Sequence, residues 1–401
     1  MSKFVDGFLF LVCATLPLYV ARFKIFAIPT TFLEISILIL FLIWFFEKGF
    51  RTRKWLSFLN FDEYLIPIIL FVVVAIISTF LSFDQNGALG ILRAYFLEPV
   101  LLFLVAHDRV KAGSGGYLFW GLVAASFWLG VLAISQKFGL VPAPEYARNE
   151  IVQGRVVGVY NSANSLALFI GPIFALVLGR VFSQLNVIKT SLLFIFSLVL
   201  FLQSIVIILT QSQAGIFAVG AVCFFVLASK IFPEKKLVKI FKLSLFLTIF
   251  LGLFLPTLSF FGLNSGSFFS DVTLKNRNYI WQGTIALILD RPLVGAGLDG
   301  FKELFGANYL LPAYSELLQY PHNLILTLWS ELGLAGVFVF FLIFSKFIKK
   351  AINNKFLGLG LMSTILYFLI HGIVDVPYFK NDLSTQFFIF LGLSEFKDYN
   401  K

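Results

Sequence analysis

The chain has 401 residues, of which 59% are hydrophobic and only 13% are charged. This much apolar surface exceeds what one soluble core can bury, and runs such as 36–46 and 65–81 approach the roughly 20 apolar residues that cross a bilayer. The formal net charge of +10 does not indicate a nucleic-acid partner, because the basic residues fall between apolar runs instead of forming one patch. The sequence therefore predicts a protein embedded in a lipid bilayer.

The long apolar runs show no two-residue alternation, so they favour membrane helices over a β-barrel. We predict an all-α polytopic membrane protein with about twelve transmembrane helices. Its parts would be 1–261 with nine spans, 262–321 as a large extracytoplasmic loop, and 322–401 with three spans and the C-terminus, all within one integral membrane domain. The predicted spans are about 4–20, 30–46, 64–81, 88–106, 117–136, 162–179, 190–209, 214–231, 243–261, 322–344, 356–373 and 383–396.

Lysine and arginine predict the orientation of these spans. Most of the 31 basic residues lie in segments on one side, and every connection between spans on that side is basic. Both termini are therefore expected in the cytoplasm, with the first apolar run retained as a span and not cleaved as a signal peptide. Cys13 and Cys223 lie within apolar runs without partner spacing, so neither a disulfide framework nor a cysteine metal site is indicated.

The large outer loop is predicted to carry an amphipathic helix that stops before Pro292. Trp281, Ile285, Ile288 and Leu289 form one apolar stripe at helical spacing, and Arg277 lies on the same stripe. One interpretation is an anion clamp, since a guanidinium fork suits phosphate, with Asn276 capping the helix beside it. The other is an arginine that reaches toward lipid headgroups. The residues alone leave both open.

The last part of this loop leads into the tenth span through "PHNLILTLWSELGLAGV" (321–337). His322 lies at the entrance of that span, where an imidazole can take up a proton near neutral pH, although it can equally be a polar cap. Glu331 lies nine residues further, on the opposite helical face and roughly 13 Å deeper, so it cannot orient His322 within this helix. A buried acid in a span needs a partner, which the pattern does not identify.

Three further stretches hold polar residues. "QGRVVGVYNSANSLALF" (153–169) places an arginine and two asparagines before the sixth span, where Asn161 or Ser162 is a candidate helix cap. The fourth span holds Arg93 and Glu98, whose separation of five residues is not ideal for a helical ion pair. "GAGLDG" (295–300) resembles a dinucleotide-binding loop but lacks the strand before it, so its glycines are expected to form turns.

Four stretches taken in order resemble the O-antigen ligase and polymerase superfamily of bacterial envelope enzymes. They are 154–168, 209–218, 276–301 and 321–337, and the ending "HGIVDVPYFKNDLS" (371–384) is also similar to members of this group. The similarity covers about 85–395. It implies a metal-independent glycosyltransferase, without cofactors, in the bacterial cytoplasmic membrane. Such enzymes take a glycan from an undecaprenyl-diphosphate carrier on the outer face and join it to a lipid-linked core, a glycan or a protein.

Carried over by position, the resemblance implies that His322 is the catalytic histidine and that Arg277 binds the diphosphate. The stretch "TQSQAG" (210–215) departs from the family pattern, because Gln213 stands where an arginine is usual. Arg93, Arg155 or Lys275 would then compensate, or the donor differs. The expected substrate-binding residues are Arg155, Gln213, Arg93, Asn161, Asn164, Lys275, Trp281, Asn323, His371 and Asp375.

The chemistry of the reaction agrees with these residue types. A glycosyl diphosphate already has a good leaving group, so the site needs positive charge for the departing diphosphate and a base for the attacking hydroxyl. Ligase and polymerase differ in the acceptor and stay nearly inseparable here, with a slight preference for a ligase. A secondary transporter or flippase is the rival class, but its ionisable groups would be expected at the membrane midplane in matching halves.

Overall fold

The computed structural model describes residues 2–26, 28–52, 63–261, 272–310 and 319–397. Most of this part is α-helical, and strands β1 (Arg22–Ile25) and β2 (Ile28–Thr31) form one antiparallel hairpin. The helices are α1 (Ser2–Ala14), α2 (Phe32–Thr52), α3 (Leu65–Phe80), α4 (Gln85–Ile91), α5 (Glu98–Lys111), α6 (Gly115–Lys137), α7 (Arg148–Val152), α8 (Ala163–Gln184), α9 (Thr190–Thr210), α10 (Gln213–Ile231), α11 (Glu234–Phe260), α12 (Val272–Asp290), α13 (Phe301–Asn308), α14 (Leu324–Asn353), α15 (Gly358–His371) and α16 (Asn381–Leu393).

The all-α architecture is confirmed, and each of the predicted spans overlaps a helix. Within the described ranges, seven helices are long and apolar enough to cross a membrane: Gln85–Lys111, Gly115–Lys137, Ala163–Gln184, Thr190–Thr210, Gln213–Ile231, Glu234–Phe260 and Leu324–Asn353. Two apolar helices, Leu65–Phe80 and Gly358–His371, are shorter. The protein is thus a multi-pass membrane protein, while the count of twelve spans stays a prediction.

The fourth predicted span contains a π-helical segment, Leu92–Leu97, between α4 and α5. A wider helical turn brings residues five apart onto one face. The Arg93 Nε atom therefore lies 3.4 Å from Glu98 Oε1, so the expectation that this spacing is unsuited to an ion pair was wrong. Arg93 also donates to Glu34 Oε2 at 2.9 Å and to the Pro29 carbonyl oxygen at 2.7 Å.

The centre of the bundle is formed by α15 and α16, which are buried almost throughout because their neighbours surround them. The largest contact of α15 is with α8, where Gly179 lies directly against Gly360: a Cβ added at Gly179 would lie 2.5 Å from the Gly360 Cα atom. Helices α10, α11 and α14 also pack on α15. Its C-terminal residue, His371, is thereby held at the middle of one end of the bundle.

Several helices begin around that end. Asn323, the N-cap of α14, and Lys380, the N-cap of α16, flank the segment that follows His371. Ser162 caps α8 by accepting from the Ser165 amide, so the cap of the sixth predicted span is Ser162 and not Asn161. Backbone amides at helix starts carry partial positive charge, which makes this end of the bundle favourable for anions.

The predicted outer-loop helix is α12, which ends at Asp290 just before Pro292, as expected. Its described start at Val272 places Asn276 in the second turn, so the capping role expected for Asn276 was wrong. Ile285 and Ile288 pack with Trp281 on the predicted stripe, whereas Leu289 is 61% exposed and does not share that surface. The other parts of the predicted loop, 262–271 and 311–318, lie outside the described residues.

The segment that follows α12 packs into a kink of α14. Gly333 has a left-handed backbone, with φ 69°, and the Leu334 amide donates to the Pro292 carbonyl oxygen at 3.2 Å. The partner missing for Glu331 is in this segment: the Asp299 amide donates to its carboxylate. Gly295 and Gly297 have φ of 61° and 82°, so the "GAGLDG" stretch forms turns, as predicted.

Candidate active site

His322 lies between Pro321 and the first turn of α14. Its φ of 50° is unusual for a residue with a side chain, and such strained positions persist only where the surroundings hold them. The imidazole Nδ1 lies 3.1 Å from Asp375 Oδ1, and about a third of the His322 side chain is exposed, at 33%. Because Nδ1 faces the carboxylate, Nε2 is the ring nitrogen available to a reactant.

Asn323 fixes the backbone beside this imidazole. Its side-chain oxygen accepts from the Ile325 and Leu326 amides at 3.0 Å each. Its Nδ2 atom donates to the carbonyl oxygens of Gly252 at 2.8 Å and Ile373 at 2.9 Å. The side chain is fully buried, and its donors and its acceptor all form hydrogen bonds. These bonds connect the start of α14 to α11 and to the end of α15.

Asp375, in the loop between α15 and α16, is 6% exposed. Burial by itself raises the pKa of this carboxyl, but the hydrogen bond and charge of His322 outweigh it, and His371 and Arg277 act in the same direction. The net result is a pKa well below the usual range, so the carboxylate is ionised. A buried anion beside the imidazole fixes the ring orientation and stabilises the ring when it is protonated.

Arg277 is half-buried on α12, within electrostatic reach of Asp375. One helical turn further, Trp281 is fully buried and its Nε1 atom donates to the Pro321 carbonyl oxygen at 2.9 Å. This bond joins α12 directly to the residue that precedes His322. The structure therefore brings the predicted arginine and the predicted histidine to the same site, with Trp281 holding the two segments together.

A comparison with protein families bears on the class of protein that carries this site. Residues 196–341 match the O-antigen ligase family. The match confirms the resemblance seen in the sequence, and the matched family is enzymatic, of the ligase and polymerase type. No curated protein gives a significant match to the chain.

Residues 196–341, the O-antigen ligase segment named after the family that they match, run from α9 into α14. This segment contains Gln213, Arg277 and His322. Asp375 and His371 lie beyond it. The site thus combines side chains of the matched segment with side chains of the C-terminal helices.

His371 lies beneath this site, fully buried at the end of α15. The Tyr367 hydroxyl donates its proton to the Ala167 carbonyl oxygen at 2.9 Å. The 3.2 Å contact between the same hydroxyl and His371 Nδ1 therefore requires a proton on Nδ1. The imidazole Nε2 is then an acceptor, and it is buried without a hydrogen-bond partner in the described structure.

Arg155 organises the other predicted stretch, 153–169. Its Nε donates to the Thr210 carbonyl oxygen at 2.8 Å, one Nη donates to Asn164 Oδ1 at 2.9 Å, and the other lies 2.7 Å from Glu150 Oε2. These contacts hold the turn before Gln213 against the start of α8. Arg155 therefore acts on the position of that turn, while the exposed Gln213 side chain leads into α10.

The remaining predicted residues are less central in the structure. Arg93 is bound to Glu34 and Glu98, so its charge is already met by carboxylates. Lys275 and Asn161 are exposed. No group of three or more His, Cys, Asp or Glu side chains arranged for a metal is found among the described residues.

Sequence reasoning missed one residue at this end of the bundle, Lys380. It is the N-cap of α16, and its Nζ atom donates to Ser165 Oγ on the first turn of α8. It follows Asp375 by five positions in the chain, and the signal available was a lone lysine shortly before the last apolar span. A lysine in that place also fits a membrane-interface anchor, which is why the pattern did not single it out.

Proposed function

We propose that this protein transfers a glycan from an undecaprenyl-diphosphate carrier to an acceptor hydroxyl, on the outer face of the cytoplasmic membrane. The observation that carries the proposal is the His322–Asp375 pair, at 3.1 Å, in a membrane protein with an O-antigen ligase segment. A partly exposed imidazole with a buried carboxylate on its other nitrogen is suited to act as a general base.

In the proposed reaction the acceptor hydroxyl gives its proton to His322 Nε2. Its oxygen forms a bond to the anomeric carbon of the glycan, and the bond from that carbon to the diphosphate oxygen breaks. The electron pair leaves with undecaprenyl diphosphate, and Asp375 stabilises the imidazolium that results. The leaving group is stable as an anion, so no acid has to protonate it.

Arg277 would bind the diphosphate as charge builds on it. A planar guanidinium can donate two parallel hydrogen bonds to phosphate oxygens, and its charge is most valuable where water is excluded. The site needs no metal in this scheme, because cationic side chains supply the positive charge.

The acceptor hydroxyl defines the subclass. A lipid-linked core makes the protein a ligase, and this is the acceptor we propose first because the matched model is that of O-antigen ligase. A second glycan repeat would make it a polymerase, and a protein hydroxyl would make it an O-oligosaccharyltransferase. All three acceptors use the same base and the same leaving group.

The test uses purified protein in vesicles, an undecaprenyl-diphosphate glycan and each of the three acceptor types. The parent protein is expected to extend one acceptor, while His322→Ala and Arg277→Ala lose transfer and still insert normally. Arg277→Lys should recover only part of the activity, since a lysine offers a point charge without the fork. Lys302→Ala, on the exposed side of α13, is the matched control and should behave as the parent. Transfer at the parent rate by both alanine variants would refute the mechanism.

A further inference from the structure

Lys380 is the second cation at the end of the bundle that carries His322. Its side chain is partly buried, and its Nζ atom donates to Ser165 Oγ and lies 5.2 Å from the centroid of the Tyr160 ring. Both of these direct neighbours are uncharged. Neutral neighbours do not neutralise an ammonium group, and partial burial reduces its contact with water. The group can therefore still bind an anion.

The nearest acidic groups are already engaged elsewhere. Asp375 accepts hydrogen bonds from His322 and from the Val376 amide at 2.9 Å. Asp382 is fully buried and accepts from the Tyr160 hydroxyl at 2.6 Å. The second oxygen of Asp382 is buried without a hydrogen-bond partner. Among the described residues Lys380 forms no ion pair with either carboxylate, although both lie close enough to act on its charge.

Other cationic side chains act on the same end of the bundle. Burial lowers the pKa of Lys380, the two carboxylates act against this, and the Arg22 guanidinium on the β-hairpin lowers the pKa further. Arg22 is exposed at the start of β1, and Arg277 acts on the same Asp375 from α12. Lys380 at the start of α16, Arg22 on β1 and Arg277 on α12 thus all act on this end of the bundle, where α8, α14 and α16 begin, and such an arrangement favours a polyvalent anion.

We propose that Lys380 binds the departing diphosphate together with Arg277, each cation taking phosphate oxygens. This inference rests on the proposed function and extends it to a residue outside the O-antigen ligase segment. Asp375 offsets part of the charge of Arg277, and a diphosphate carries more than one negative charge, so a second cation strengthens its binding. Lysine suits the second position, because its flexible stem lets the ammonium leave Ser165 and reach a phosphate oxygen.

The experiment measures the affinity of inorganic pyrophosphate for the purified protein by calorimetry, and separately its inhibition of glycan transfer. Lys380→Gln is expected to weaken pyrophosphate binding about 10-fold or more, the loss of one charge-assisted hydrogen bond. The KM for the lipid-diphosphate donor should rise likewise, while the KM for the acceptor stays the same. Lys380→Arg should recover most of the affinity, and Lys302→Gln is the matched control with parental affinity.

A second variant separates folding from binding. Lys380→Cys can be alkylated with 2-bromoethylamine, which rebuilds an ammonium at the same length in protein that is already folded. Pyrophosphate affinity should fall in the cysteine variant and return on alkylation. Recovery of this kind cannot arise from a purely structural role, because the same molecules are measured before and after the reaction.

The outcomes of the two proposals are distinguishable. Parental pyrophosphate affinity in Lys380→Gln, or a changed KM for the acceptor alone, would overturn the assignment of Lys380 and leave glycan transfer by His322 intact. If Lys380→Gln loses pyrophosphate binding but the parent protein transfers no glycan to any acceptor, the anion site is retained and the proposed function is rejected.

Discussion

Asp375→Asn tests the central pair of the site with the smallest change of shape. The asparagine side chain keeps the size of the aspartate and can still meet His322 Nδ1, but it lacks the negative charge. The carboxylate lies 3.1 Å from Nδ1 and is 6% exposed, so little water screens it. For unit charges about 4 Å apart, an effective dielectric constant of about 20 corresponds to roughly 4 kcal/mol of attraction that only the protonated imidazole feels.

The roles of the two groups give a loss of similar size. Loss of the orienting carboxylate in a histidine-based catalytic site lowers kcat by up to about 10⁴-fold, and each factor of ten corresponds to about 1.36 kcal/mol of barrier. We expect Asp375→Asn to lower kcat for glycan transfer by about 10²- to 10⁴-fold, with a much smaller change in the KM for the donor. An amide can also hold the ring in the wrong tautomer, which adds to the loss.

The assay is single-turnover transfer of a labelled glycan in vesicles, with protein amounts matched by size-exclusion chromatography. Glu303→Gln, an exposed acid on α13, is the control for removing one negative charge from the same region. If Asp375→Asn keeps kcat within about threefold of the parent, the carboxylate is not the partner of a catalytic base, and the reasoning about His322 fails.

Three further changes test the supports of the site. Gly333→Ala would place a Cβ 2.0 Å from the Leu293 carbonyl oxygen, at a φ of 69°. We expect it to lower the free energy of unfolding by roughly 2 kcal/mol or more, measured by thermal unfolding. Gly220→Ala is the control and should leave stability unchanged, because a Cβ there meets open space. Asn323→Ala removes a cap and two side-chain donors, and should cost about 2–4 kcal/mol and lower kcat together. Burial, and then the charges of Asp84 and Glu303, raise the pKa of Asp299 to about 6. The folded state therefore binds this proton more tightly than the unfolded chain does. Thermal stability should increase as the pH is lowered from 7 to 5. Asp299→Asn should flatten that dependence, and an unchanged pH profile would contradict it.

Much of the helical architecture was predictable because it depends on local patterns. Helix α12 ends before Pro292 as expected, and each predicted span overlaps a helix, since runs of apolar residues and prolines act on the backbone nearby. His322 and Arg277 stood out because an ionisable side chain next to an apolar run is costly, and the resemblance then implied their roles.

The partners of these residues were not predictable. Glu331 is bound by the Asp299 amide, 32 residues earlier in the chain, and Lys380 meets Ser165 across 215 residues. The Arg93–Glu98 pair depends on a π-helical turn, which periodicity arguments based on the α-helix do not include. Hydrogen bonds between distant segments depend on how helices pack, and no local pattern encodes that packing.

By itself the sequence determined that this is a helical membrane protein, that its ionisable residues gather in a few connecting segments, and that these resemble O-antigen ligases. The first two properties follow from the cost of placing polar groups in hydrocarbon, which acts on each segment separately, whereas the resemblance rests on the motifs alone. Only the tertiary structure decided that Asp375 is the partner of His322, 53 residues away, and that Arg277 and Lys380 share its surroundings. Burial of α15 among α8, α10 and α14 sets these positions, because close packing of whole helices fixes where their ends meet.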